Sequence, residues 1–325
     1  MQRRQLLIAL GAGALVPLAS FGQQQGKVWR IGYLHLRSGP SERDDAFLQA
    51  LRDLGYVEGH NLRIEYRWTA GNTERLPELA VELARLKVDT VVTSSVLATK
   101  AAQSATSTIP IVLAAVSDPV GAGLVKSLAR PGGNVTGLSQ LVDELAGKRL
   151  ELLRELLPKV TRISVLASGI NPADTQRRLE YIRAAAKQLG IQLLVQYSKG
   201  AEDWPRAFET MRRERAQALY VQTGPGTIDN RKLLVEFASR QRLPAIYEVQ
   251  DFVNAGGLMS YGYNVAEMYR RAAVFVDKIF KGAKPGELPV EQPTKFELLI
   301  NTKTAKALGL TIPEPILLRA DKVIE

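Results

Sequence analysis

The 325-residue chain has no cysteine, two histidines, three tryptophans and an aromatic content of only 6 %. Without cysteine there is no disulfide, thiol nucleophile, thiolate metal site or iron–sulfur cluster, which suits a compartment where free thiols are a liability. Two histidines leave little room for a triad or a metal centre. His35 ends the first predicted strand and His60 sits in a Glu58–Gly59–His60–Asn61 turn, and neither has a partner at a spacing those sites need. Gly224–Pro225–Gly226 lacks the lysine and the spacing of a phosphate loop. No metal and no cofactor are expected, and the chain does not read as an enzyme.

Acidic residues are outnumbered, giving a net charge of +10. The surplus is spread: Arg177–Arg178, Arg212–Arg213–Arg215, Arg231–Lys232 and Arg270–Arg271 lie in helical stretches among acidic neighbours, with no interleaved aromatics. Solvated helix faces fit these clusters better than a nucleic-acid surface, so no nucleic-acid partner is expected.

Past the N-terminus no apolar run is long enough to span a bilayer, which takes about 20 residues. At the N-terminus, Arg3–Arg4 precede an apolar stretch from Leu6 to Ala19, followed by the small residues Ser20 and Gly22 around Phe21. This pattern predicts a cleaved export signal over residues 1–22, and the arginine pair suggests the twin-arginine type. The mature protein is then expected in the periplasm, as a monomer.

Behind that segment, the same alternation of strand and helix runs twice. In the first half, strands are predicted at Val28–Leu36, Leu62–Trp68, Val88–Thr93, Ile109–Val116 and Val135–Leu138, with a helix opened by a capping box at Ser41 and Asp44. In the second, they are predicted at Ile163–Ala167, Ile191–Tyr197, Ala218–Gln222, Ala245–Tyr247 and Gly257–Tyr261, with helices at Thr175–Leu189, Trp204–Glu214 and Ile228–Gln241. Near-continuous apolar strands joined by helices imply right-handed crossovers and parallel sheets. A long helix over Asn264–Lys281 and an extended run over Val290–Asn301 follow. The expected fold is α/β: two doubly wound parallel-sheet lobes joined by a multi-strand hinge. Lobe 1 takes residues 28–140 plus 262–290, and lobe 2 takes 141–261 plus 291–325.

Several collinear stretches carry a resemblance. They are Gly256–Gly262, Lys281–Pro285, Leu288–Pro293, Phe296–Asn301 with Ala305–Leu310, Ala114–Pro119 and Pro131–Gly137. In these the mature chain resembles the ABC-transporter substrate-binding proteins of the kind that includes tryptophan- and tyrosine-binding members, with a type I periplasmic-binding fold. The resemblance implies capture of a small ligand, such as an aromatic or other amino acid, in an interlobe cleft and delivery to an ABC permease. A sensing subunit for a membrane receptor, or an exported hydrolase or transferase using the same cleft, are the alternatives.

Parallel sheets bind ligands beyond the carboxyl ends of their strands. In the first half those ends place Tyr33, Ser94, Ser95, Ser117 and Asp118; in the second, Asn171, Gln222, Thr223, Tyr247, Glu248, Tyr261 and Asn264. Ser94 and Ser95, where a strand meets a helix, suit a carboxylate or a plain N-cap. Asp118 and Glu248 suit a ligand ammonium, or a turn cap and a solvated loop respectively. Tyr33, Tyr247 and Tyr261 either stack on a ring or pack in the core. Asn171 and Asn264 either donate to a ligand or cap the helices they precede.

Overall fold

A computed structural model describes residues 27–140 and 145–325. The predicted export segment lies outside the described residues.

The first half contains β1 (Trp29–His35), α1 (Glu42–Asp53), β2 (Leu62–Trp68), α2 (Leu76–Arg85), β3 (Thr90–Thr93), α3 (Val96–Ala105), β4 (Ile111–Ser117) and β5 (Val135–Gln140). Its five strands are all parallel, in the order β2-β1-β3-β4-β5. β1 shows how the sequence makes two layers. Ile31 and Tyr33 point to the side covered by α1, while Leu34 joins the cluster under α2 and α3, as strand alternation requires. β3 is buried throughout, which its Thr-Val-Val-Thr run on a central strand explains.

The second half contains α4 (Ala146–Leu156), β6 (Arg162–Ser168), α5 (Pro172–Gln188), β7 (Gln192–Ser198), α6 (Trp204–Arg213), β8 (Ala218–Val221), α7 (Pro225–Asp229), α8 (Arg231–Arg240), β9 (Ala245–Tyr247), α9 (Asp251–Asn254) and β10 (Met259–Gly262). After these come α10 (Val265–Phe280), β11 (Glu297–Asn301), α11 (Thr302–Ala307), α12 (Glu314–Arg319) and β12 (Lys322–Ile324). The second sheet runs β12-β11-β10-β9-β8-β6-β7, parallel except where β11 meets β10. Both sheets belong to the α/β class expected from the sequence.

Three expectations change. The single helix predicted over Ile228–Gln241 is two, because Asn230 leaves helical geometry at φ −110°, ψ 24°. The run over Val290–Asn301 pairs in two pieces: Glu291 bridges Leu138 beside β5, and only Glu297–Asn301 is a strand, on the second sheet. α9, α12 and β12 were not predicted, since each is too short to show a period. α10 crosses back to pack on α1, β4 and β5.

Candidate functional site

Each sheet has one place where successive crossovers leave a strand in opposite directions. In the first it lies between β1 and β3; in the second, between β6 and β8. Such switch points open a crevice at the strands' carboxyl ends. The two crevices face each other across a cavity of about 120 Å³. Leu36, Arg37, Ser94, Ser95, Ser117 and Gln140 line it from the strand ends of the first sheet, with Arg43 of α1 and Tyr269 of α10. Ser168, Ile170, Asn171, Thr223 and Gly224 line it from the second sheet, with Asp174, Thr175 and Arg178 of α5 and Ile228 of α7.

On the first wall, Ser94 Oγ lies 2.7 Å from His35 Nδ1, and Ser95 caps α3 by accepting from the Ala98 N–H at 3.2 Å. Behind them is a fully buried cluster. His35 stacks on Tyr33 at 4.0 Å, and the Tyr33 hydroxyl donates to Asp44. Arg37 donates to both Asp44 oxygens, at 2.7 and 2.8 Å. Burial, reinforced by the Arg37 charge, pushes the His35 pKa well below its ordinary value, so the ring is neutral. Burial alone would raise Asp44, but the hydrogen bonds and charge of Arg37 win and hold its carboxyl below the usual range. Burial drives the Tyr33 phenol up, with Tyr269 and Asp44 adding to it.

The second wall rests on another buried charge network. Glu248 pairs with Arg178, accepts from the Thr223 N–H at 2.7 Å and from the Tyr220 hydroxyl at 3.2 Å, and has Arg149 Nη1 at 3.8 Å. Arg178 also donates to the Thr223 carbonyl at 3.1 Å, so the network fixes the backbone at the cavity edge. Asn171 caps α5, and Asp174 is the one acidic residue lining the cavity among the described residues.

Polar contacts join the two walls at both sides of the cleft. On one side Ser117 Oγ donates to Asp174 at 3.0 Å, and Arg177 meets Asp118 at 2.9 Å. On the other, Arg43 meets Asp251 at 3.0 Å, and the Ser38 amide and hydroxyl donate to Asp229 at 3.1 Å.

Of the residues expected at the site, Ser94, Ser95, Ser117, Asn171 and Thr223 line the cavity. The others do not. Tyr33 and Tyr247 are core residues, Tyr247 stacking on Phe252 at 4.7 Å. Tyr261 tilts against Phe296, and its carbonyl accepts from Arg149. Gln222 is buried behind the wall, Asp118 is held in the Arg177 pair, and Asn264 caps α10. Glu248 is no solvated loop residue: it is 2 % exposed, because two arginines and two hydrogen-bond donors replace its water. Arg178, read from sequence as part of a solvated face, is buried against it. Arg37, Arg43, Gln140, Asp174, Arg178 and Tyr269 were missed as wall residues. The signal for two of them was helical spacing: Asp174 and Arg178 share a face of α5 with Asn171, its cap.

Two doubly wound sheets facing a small polar cavity define a ligand-binding protein of the type I periplasmic-binding fold. The chain belongs to the ABC transporter substrate binding protein family, whose profile it matches over residues 37–324. It is 28 % identical over 282 residues to a tyrosine-binding protein of Clostridioides difficile, covering 86 % of this chain and 81 % of the relative. A structure of a Streptococcus pneumoniae ABC domain in complex with L-Trp superposes with a TM-score of 0.81 at 27 % identity, covering 91 % of this chain and 99 % of that one. A ligand-free, open substrate-binding protein with adhesive properties from Clostridium difficile scores 0.65 at 26 % identity, with the same coverage of both chains. At nearly equal identity, the overall shape here is nearer the L-Trp complex than the open form. Among the described residues no helix is long and apolar enough to cross a membrane.

Proposed function

We propose that this protein captures an amino acid, an aromatic one foremost, in the cavity between its sheets. It holds the ligand without transforming it and delivers it, as an exported monomer of the periplasm, to an ABC permease. The lobes are residues 28–140 with 262–290, and 141–261 with 291–325. The packing of α10 on the first half and of β11 and β12 on the second supports that division.

The observation that carries this reading is the composition of the two walls. The first offers hydroxyls and the N-terminus of α3, where backbone N–H groups and the helix dipole favour a carboxylate. The second offers the Asp174 carboxylate to an ammonium. Leu36, Val96, Ile170, Ile228 and Tyr269 supply an apolar lining between them. An α-amino acid carries all three of the matching groups: a carboxylate, an ammonium and a side chain. The volume also fits: about 120 Å³ is close to the ~150 Å³ of an apolar cavity that takes up benzene. A zwitterion with one modest side chain fills it, and a larger ring needs the walls to part slightly. The relatives' names, a tyrosine-binding protein and an L-Trp complex, point the same way.

A thermal-shift screen of the twenty amino acids, sugars, purines and small acids tests this. A ligand at a hundred times its Kd adds about 2.7 kcal/mol of stability when only the folded state binds. At least one amino acid is expected to raise Tm by several degrees. Stabilisation by sugars or purines alone would contradict the reading, as would turnover of the ligand.

A further inference from the structure

His35 is fully buried and neutral, yet it touches the cavity wall through one atom pair, Nδ1 and Ser94 Oγ at 2.7 Å. The other ring nitrogen, Nε2, is buried with no hydrogen-bond partner among the described residues. A neutral imidazole carries one N–H, on one nitrogen or the other. If the proton sits on Nε2, a buried donor goes unmet. If it sits on Nδ1, it is used by Ser94, and only a bare ring nitrogen is left. Buried orphan donors are the rarer of the two, because an unmet N–H costs a full hydrogen bond. The Nδ1–H form wins.

That choice sets the direction of the Ser94 hydroxyl. Its oxygen accepts from His35, and its own hydrogen has no acceptor among the described residues, since His35 is its one hydrogen-bond partner there. The hydrogen is left for the cavity that Ser94 lines. Two features hold the ring in this role. Tyr33 stacks on its face at 4.0 Å, and the Trp68 ring packs 5.4 Å away. Next to Ser94, the first turn of α3 presents Val96 and Leu97 to the same cavity.

We propose that His35 is a positioning residue that fixes Ser94 as a one-way hydrogen-bond donor, so that the ligand group seated against the first wall is an anionic oxygen, the carboxylate of the captured amino acid. This rests on the function proposed above and adds which end of the ligand meets which wall.

Two measurements decide it. Long-range ¹H–¹⁵N correlation on ¹⁵N-labelled, ligand-free protein reads the tautomer of His35, with a His60→Gln variant assigning the two rings. Nδ1–H is expected; Nε2–H overturns the proposal. L-tyrosine, L-tryptophan and tyramine, which lacks the carboxylate, are then titrated into a set of variants. Ser94→Ala is expected to weaken the amino acids about tenfold and to leave tyramine unchanged. His35→Phe keeps the stack but not the donor, and should match Ser94→Ala. His35→Asn puts an amide nitrogen near the place of Nδ1 and should stay within about threefold of the parent. Equal losses for amino acids and tyramine, or an Asn variant as weak as Phe, contradict the proposal. If neither amino acid binds, the aromatic preference of the proposed function fails, and the tautomer still decides the role of His35.

Discussion

Single residues here are read through the charges they are buried with. His35 enters the fold neutral at a cost that appears only in acid. Burial first, and Arg37 second, depress its pKa, while the unfolded chain titrates near ~6.5. Below that pH the unfolded state binds the extra proton first, so stability falls as pH drops from about 6.5 through the folded-state value. Asp44 has the same sign lower down: its stabilisation is present above about 3.9 and lost as pH falls through its depressed value. Urea unfolding across pH 7 to 5 should show a slope in the parent that flattens in His35→Phe; equal slopes would contradict this account. The residue scale is also where the sequence was least legible. A tyrosine near a strand end reads the same in core or cleft. Tyr33 is core because its strand parity turns it under α1, while Ser94 reaches the cavity because it lies just past the end of β3. Glu248 looked like a loop carboxylate because its partners are distant in sequence: Arg149 on α4 and Arg178 on α5.

At the scale of elements the sequence was far more legible. Apolar runs bounded by Gly and Pro located β1 to β10, and a glycine after the leucine that ends α1, α5 and α11 closes each helix in the left-handed region: Gly55, Gly190 and Gly309 have φ of +92°, +66° and +72°. What escaped was decided by single backbone angles, as at Asn230, or by pieces too short to carry a period. Asn264 is the element-scale residue with the clearest test. Its side chain accepts from the Glu267 N–H at 3.3 Å at the start of α10, which lies over the first half of the fold. Asn264→Ala should cost about 1 kcal/mol in chemical unfolding with ligand affinity within twofold of the parent. A large affinity loss at unchanged stability would make Asn264 a ligand contact instead.

Across the whole molecule, the contacts that join the two walls matter more than any buried pair. Asp118–Arg177 and Ser117–Asp174 close one side of the cleft, and Arg43–Asp251 and Ser38–Asp229 the other. They are partly exposed, so each is worth little alone and is screened by salt. Under the proposed function, together they favour the shut arrangement of the two lobes, which ligand then completes. Reversing one charge, Arg177→Glu, sets it against Asp118 and Asp174. Small-angle scattering of the ligand-free variant should give a larger radius of gyration than the parent, with ligand or high salt narrowing the gap. Identical radii would show that these pairs do not hold the lobes.

Titration calorimetry with the amino acid that gives the largest thermal shift shows whether the two walls hold one ligand between them. Saturable binding with a stoichiometry of one is expected, weakened about tenfold or more both by Ser94→Ala on one wall and by Asp174→Asn on the other. No saturable heat from any amino acid, or binding untouched by changes on either wall, would contradict it.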